Sequence, residues 1–115
     1  MIKEKLQYYT SMVDDKQFNT DLLISCLANL ESRIIKAAYQ RAKFKNSGMA
    51  SNEGYEFEMK QFIKYRMEIT NLLANVYSKQ EIKVLVNGIN KNDIVTNKLC
   101  DAVIELVVSN DYQLM

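Results

Sequence analysis

The sequence predicts an all-α fold: an antiparallel bundle of four to five helices built on a long central helical hairpin, in a single helical domain over residues 1–115. Three observations predict it. Apolar residues recur at alternating spacings of three and four along most of the chain, the period of a helix with one buried stripe. The chain holds no Pro and only three Gly, so the tight turns of a many-stranded sheet have little to be made from. A hydrophobic content of 48% in 115 residues gives enough apolar surface to offset the entropy of ordering one core.

The first stripe runs Ile2, Leu6, Tyr9, Val13 and resumes in phase as Leu23, Leu27, Leu30, Ile34, Ala37, with Arg41 at its end. Between the two parts, Lys16 and Thr20 occupy stripe positions. Two readings compete: one helix to about Asn46, or a short helix ending near Asp14 and a second one capped by Asn19 or Thr20. Two polar stripe residues and the cluster Asp14, Asp15, Asn19 favour the break. Asp21 then sits well at the positive end of the second helix.

The run KNSGMASNEG, residues 45–54, is the clearest loop signal. Beyond it a second long stripe reads Tyr55, Met59, Phe62, Arg66, Ile69, Leu73, Val76, widened by Ile63 and Leu72. Two long amphipathic runs joined by one loop make a helical hairpin. In that hairpin Arg66 comes level with Glu31, and the pair reads as a charge fixing the register of the seam. A long stem reaching along the edge of the core serves equally well.

Ser78-Lys-Gln-Glu81 is a capping box and starts the next helix. Ile82, Leu85, Val86 and Ile89 form its apolar face, and Gly88 marks the approach of its end. Asn92 or Asp93 is the expected cap of a last helix with Val95, Leu99, Val103, Leu106 and Val107 inward. Its β-branched tail (Val103, Ile104, Val107, Val108) also suits a strand. No partner strand is evident, and helix is the stronger reading.

Function is constrained mainly by exclusion. Fifteen basic and fourteen acidic residues leave a net charge of +1, so no global field commits the chain to nucleic acid or to a membrane. There is no His, hence neither the commonest general base at neutral pH nor the commonest metal ligand. No glycine-rich phosphate loop and no paired-cysteine spacing is present. Glu53, Glu56 and Glu58 read as a solvated helix start that complements the dipole. We therefore expect no catalytic residues, no metal site and no cofactor. Cys26 and Cys100 lie in apolar periodic runs and read as two buried thiols in a reducing cytoplasm. No apolar run approaches a membrane span, and MIKEKLQYY lacks the core of a signal peptide. Abundant Lys, Asn, Ile and Tyr suit an AT-rich microbial source.

The segment RIIKAAYQRAKFK holds five cations and no acid, interleaved with aromatics. Arg33, Lys36, Tyr39, Arg41, Lys43, Phe44 and Lys45 are the candidate partner-binding residues, suited to an acidic protein surface or to phosphates. Cations also simply complement the end of a helix. The run SKQEIKVLVNGINKNDIVTNKLCDAV can be read as two helices around Asn90-Lys91-Asn92, but over residues 78–115 the acids outnumber the lysines, which opposes DNA binding. The expected function is a non-enzymatic protein-binding module, a small intracellular neutralising or escorting partner of the immunity-protein, inhibitor or chaperone type. The alternative is a nucleic-acid-binding transcriptional regulator using segment 33–45. Phe57, Ile104, Val108, Tyr112 and Leu114 have no assigned partner in the bundle, which motivates a two-fold homodimer.

Overall fold

A first helix, α1 (Ile2–Asp14), ends where the polar cluster begins. Lys16 follows in the left-handed region (φ 57°), its N–H bonded to the Val13 carbonyl. That conformation costs a non-glycine residue roughly 1–2 kcal/mol, so the break is imposed by what comes next. Residues 2–46 and 53–115 are described by this structure, a computed structural model. The break separates two helices, as the polar stripe positions indicated. Gln17–Phe18 forms a two-residue strand, β1, and α2 (Thr20–Asn46) starts directly after it. Of the two expected caps, Asn19 is the one used: its Oδ1 accepts the Leu22 N–H at 2.8 Å.

The first third of α2 is enclosed on every side. All nine residues from Leu22 to Leu30 are buried, although a surface helix would bury one stripe. α3 (Glu53–Leu73), α4 (Lys79–Gly88) and α5 (Asn97–Val108) all pack on α2, α3 most extensively. The hairpin is antiparallel: Arg41 meets Glu56, Arg33 lies over Phe62, and Glu31 meets Arg66, one chain number rising as the other falls. Helix intrudes on both ends of the loop expected at 45–54, to Asn46 and from Glu53; the remainder lies outside the described residues.

α3 stops at Leu73, one turn short of the stripe. Val76, expected inward, is 62% exposed, while the Tyr77 N–H bonds back to the Leu73 carbonyl and Tyr77 packs on the core instead. The capping box of α4 is present in both directions, Ser78 Oγ accepting from the Glu81 N–H and Glu81 Oε1 from the Ser78 N–H. Ile82 is buried, but Leu85 stands 39% exposed because α4 offers only a narrow face to α2. Asn90 then caps a single 3₁₀ turn, Lys91–Asp93. The last helix therefore does not start from Asn92 or Asp93. It starts at Asn97, with Thr96 Oγ1 accepting the Leu99 N–H at 3.2 Å.

The reason is the polar ladder on α2. Ser25, Asn29 and Arg33 recur every four residues, so they line up along one edge of the helix. Ser25 Oγ donates to the Asp93 carbonyl (2.9 Å) and accepts the Val95 N–H (2.7 Å). Asn29 Nδ2 donates to the Val95 carbonyl and to Asn97 Oδ1, both at 2.9 Å. Arg33 donates to Asn29 Oδ1, to Asp101 and to the Asn97 carbonyl. The stretch 93–97 is thus held extended on α2, and helix can resume only beyond it.

The end of α5 is a Schellman turn. Asn110 is left-handed (φ 57°), Asp111 N–H reaches the Leu106 carbonyl, and Asn110 N–H reaches that of Val107. The chain then doubles onto the α1–α2 break. Tyr112 stacks on the fully buried Phe18 (5.3 Å between centroids, 10° between planes). Strand β2 (Gln113–Leu114) pairs with β1 in parallel, Gln17 opposite Gln113 and Phe18 opposite Leu114. The β-branched stretch 103–108 is helix, the stronger of the two readings, and this two-residue ribbon lies beyond it, where periodicity gave no sign of a strand. It also removes Tyr112 from the residues taken to be unpartnered, and Ile104, only 7% exposed, belongs to the core.

Ser25→Ala leaves the Val95 N–H buried without its acceptor, and we expect a loss of about 1–3 kcal/mol in urea unfolding. Asn29→Ala should cost at least as much, since it strips partners from Val95, Asn97 and Arg33 together. An exposed substitution one turn on, Ser32→Ala, should be near neutral in the same measurement.

Candidate partner-binding surface

The cations of segment 33–45 do not form one face. Arg33 is turned inward, its side chain 14% exposed, with Asp101 at 2.8 Å and the Phe62 ring 5.3 Å from the guanidinium carbon. Its hydrogen-bonding capacity is committed to Asn29, Asn97 and Asp101, so it is a structural cross-brace between α2, α3 and α5. Arg41 faces α3 and pairs with Glu56 at 3.5 Å. Lys36, Tyr39 and Lys43 remain in solvent. The side chains of Phe44 and Lys45 lie outside what the structure describes.

Tyr39 has a neighbour that the sequence reading left out. Ile35, one turn earlier on the same face, is 66% exposed, and so is Tyr39. The signal was the adjacent pair Ile34-Ile35: only one of two consecutive residues can point into a helix seam. Ile35 also borders a shallow groove of about 720 Å³ between α2, the end of α4 and residues 91–97. Ala28, Val86, Ile89 and Ile94 supply apolar lining there, and the exposed Lys91 adds a cation. The combined surface is an apolar and aromatic ridge beside a groove, with Lys36 and Lys43 on the same segment of α2 and Lys91 lining the groove. Among the described residues lining the groove Glu31 is the one carboxylate, and it pairs with Arg66.

The stripe arginine behaves as its position indicated. Arg66 Nη1 donates to Glu31 Oε1 at 3.1 Å, with the two side chains 34% and 43% exposed. The pair lies at the mouth of a smaller cavity, about 280 Å³, shared with Lys79 and Lys83 of α4. Water reaches both partners, so their attraction is screened and worth a fraction of a kcal/mol to about 1.

Two buried titratable groups stand out. Tyr9 is 1% exposed, and burial, with the nearby Asp21 and Asp93 carboxylates adding to it, pushes its pKa up to about 12. Cys26 and Cys100 are fully buried free thiols, and a hydrogen bond with Cys100, together with burial, holds Cys26 well above the usual thiol range. Neither is a ready nucleophile at neutral pH. Among the described residues, no group of three or more His, Cys, Asp or Glu side chains could hold a metal ion, and no helix is long and apolar enough to cross a membrane. Comparison with protein-family models, with curated proteins and with solved structures gives no match for this chain.

Arg66→Leu should be neutral or slightly stabilising by thermal unfolding, because an apolar residue completes the stripe. Arg66→Ala loses stem packing and should be destabilising; a double-mutant cycle with Glu31→Ala should return a coupling near 0.5 kcal/mol. In an ultraviolet titration one tyrosine should ionise late, near pH 12, and Tyr9→Phe should remove that step. Because the folded pKa lies above the unfolded one, this contribution to stability is complete below pH 10. It is lost as pH rises from 10 to about 12, and Tyr9→Phe should flatten that dependence.

Proposed function

We propose that the chain is a helical protein-binding module that neutralises or escorts an acidic protein partner. The observation that carries this reading is the exposed Ile35–Tyr39 ridge on α2, whose Ile35 borders a groove of mixed apolar and polar lining, with the exposed Lys36 and Lys43 on the same basic segment and the exposed Lys91 lining the groove. Aromatic and aliphatic anchors beside a groove supply the desolvated centre of a protein interface, and the lysines supply steering and register towards carboxylates. A nucleic-acid regulator needs a continuous run of free cations to displace counterions along a phosphate backbone. Here Arg33 and Arg41 are already committed to Asp101 and Glu56, which weakens that alternative. A partner helix bearing acids on one edge and large apolar residues on its face fits the ridge and groove best.

A photo-crosslinking amino acid placed at Tyr39, and as a control at the exposed Lys64 of α3, tests this in the native host. We expect one protease-sensitive adduct with an acidic protein at position 39 and none at 64. Lys36→Glu with Lys43→Glu should reduce it at least tenfold without lowering the melting temperature by more than a few degrees. Nuclease-sensitive adducts would favour the regulator, and equal labelling at both positions would remove the reading.

A further inference from the structure

The 280 Å³ cavity between α2, α3 and α4 gathers positive charge. Arg66, Lys79 and Lys83 line it, and among the described residues there Glu31 is the one carboxylate. The buried Leu27 and Ile82 and the half-buried Val86 supply an apolar side. The cavity shares Glu31, Val86 and Asn87 with the groove beside Ile35, but Lys36, Tyr39 and Lys43 take no part in it. It can therefore be tested apart from the protein-binding reading.

α4 carries two cations where its own stability argues against them. Lys79 is its first residue, at the positive end of the helix dipole. Lys83 follows four residues later, so two like charges neighbour each other on one face. Glu81, the one acid of α4, is engaged with the Ser78 N–H in the capping box. Neither lysine makes an ion pair among the described residues. Arg66 spends one N–H on Glu31, and its remaining side-chain donors have no partner among the described residues. Unfavourable local choices that converge on one cavity are a mark of functional sites. The site belongs to side chains and not to the helix end itself, because Ser78 Oγ already takes the Glu81 N–H.

We propose that this cavity binds a phosphate monoester. Three cations against one carboxylate leave an excess of two positive charges, and a phosphomonoester carries about −1.5 to −2 near pH 7. Its three terminal oxygens offer one acceptor each to Arg66, Lys79 and Lys83. A carboxylate has two oxygens and a single charge, and leaves one cation unanswered. The carbon stem of the ester lies against Leu27, Ile82 and Val86. Such a phosphate sits either on a free small molecule or on a modified side chain of a bound protein, and the chemistry of recognition is the same.

Amide chemical-shift titration and calorimetry with n-butyl phosphate, at constant ionic strength, test the proposal. The comparison ligands are n-butanol, its uncharged counterpart, and n-butanoate, a single charge on a similar stem. We expect saturable shifts around the cavity with n-butyl phosphate, binding of n-butanoate at least tenfold weaker, and no binding of n-butanol. Affinity should fall at least tenfold in Arg66→Leu and several-fold in Lys83→Gln, while Lys64→Gln on the exposed side of α3 leaves it unchanged. Lys83 is exposed, so its variant remains informative even if Arg66→Leu disturbs the seam. Glu31→Gln removes the competing carboxylate and should tighten binding. The capped peptide acetyl-Ala-phosphoserine-Ala-amide separates the sources. Binding as tight as n-butyl phosphate assigns the cavity to a partner's phosphorylated side chain, and exclusion assigns it to a free phosphate ester. No saturable shift with n-butyl phosphate, equal binding of n-butanoate or n-butanol, or an undiminished affinity in Arg66→Leu or in Lys83→Gln would each overturn the proposal.

Discussion

The polar edge of α2 is the constraint on which the rest of the molecule depends. A helix enclosed by three others must meet at least one connection that is not helical, and that connection brings unpaired backbone groups into the core. Left alone, each would cost about 1–3 kcal/mol. Ser25 and Asn29 answer the Asp93 carbonyl and both backbone groups of Val95 from within the buried stretch Leu22–Leu30. The 3₁₀ turn, the late start of α5 and the place of Val95 in the core all follow from that anchorage. Arg33 extends the same edge into half-exposed territory, where it ties Asp101 of α5 to Phe62 of α3. One row of three side chains therefore sets the relative placement of three helices.

Much of this architecture could be read directly from residue patterns, and the exceptions share a cause. Periodicity located the long helices because burial of one stripe leaves a three-and-four spacing, and local capping chemistry located Ser78 and narrowed the start of α2 to Asn19 or Thr20 because it acts within four residues. Arg66 and Glu31 could be matched because hairpin geometry converts sequence distance into height along the seam. Periodicity does not distinguish a striped helix from an enclosed one when the apolar run is interrupted by Ser25 and Asn29, which look like surface residues. Nor does it see partners brought together only by the completed fold. Phe18 with Tyr112, Lys16 with Asp111 and Asn29 with Val95 are all of that kind. The left-handed Asn110 was the local clue to the chain reversal near the end, since Asn is the residue besides Gly that best tolerates it.

The candidate surface shows the same division. Composition singled out segment 33–45 but could not sort its cations by direction. Lys36 and Lys43 face solvent, while Arg33 and Arg41 act within the bundle. That sorting follows from side-chain chemistry: a planar guanidinium holds several acceptors at fixed angles and is weakly hydrated, whereas an ammonium is strongly hydrated and stays in water. Both arginines pair within the bundle, while Lys36 and Lys43 make no ion pair among the described residues. A segment that looks like one basic patch is thus two populations of charge, one paired within the bundle and one facing solvent.

The parallel pairing of residues 17–18 with 113–114 bears on how the chain acquires this structure as it is made. Lys16 and Asp111, which flank that ribbon, are 95 residues apart. The α2–α3 hairpin can collapse from contacts that are near in sequence, and such contacts form early. Phe18, by contrast, has an open flank until Tyr112 has left the ribosome. Until residues 112–114 have emerged, the nascent chain carries a hydrophobic socket and two unpaired strand edges at the α1–α2 break, the kind of surface on which chains misassociate or a ribosome-bound chaperone sits. Residues 112–114 are the ones that close it.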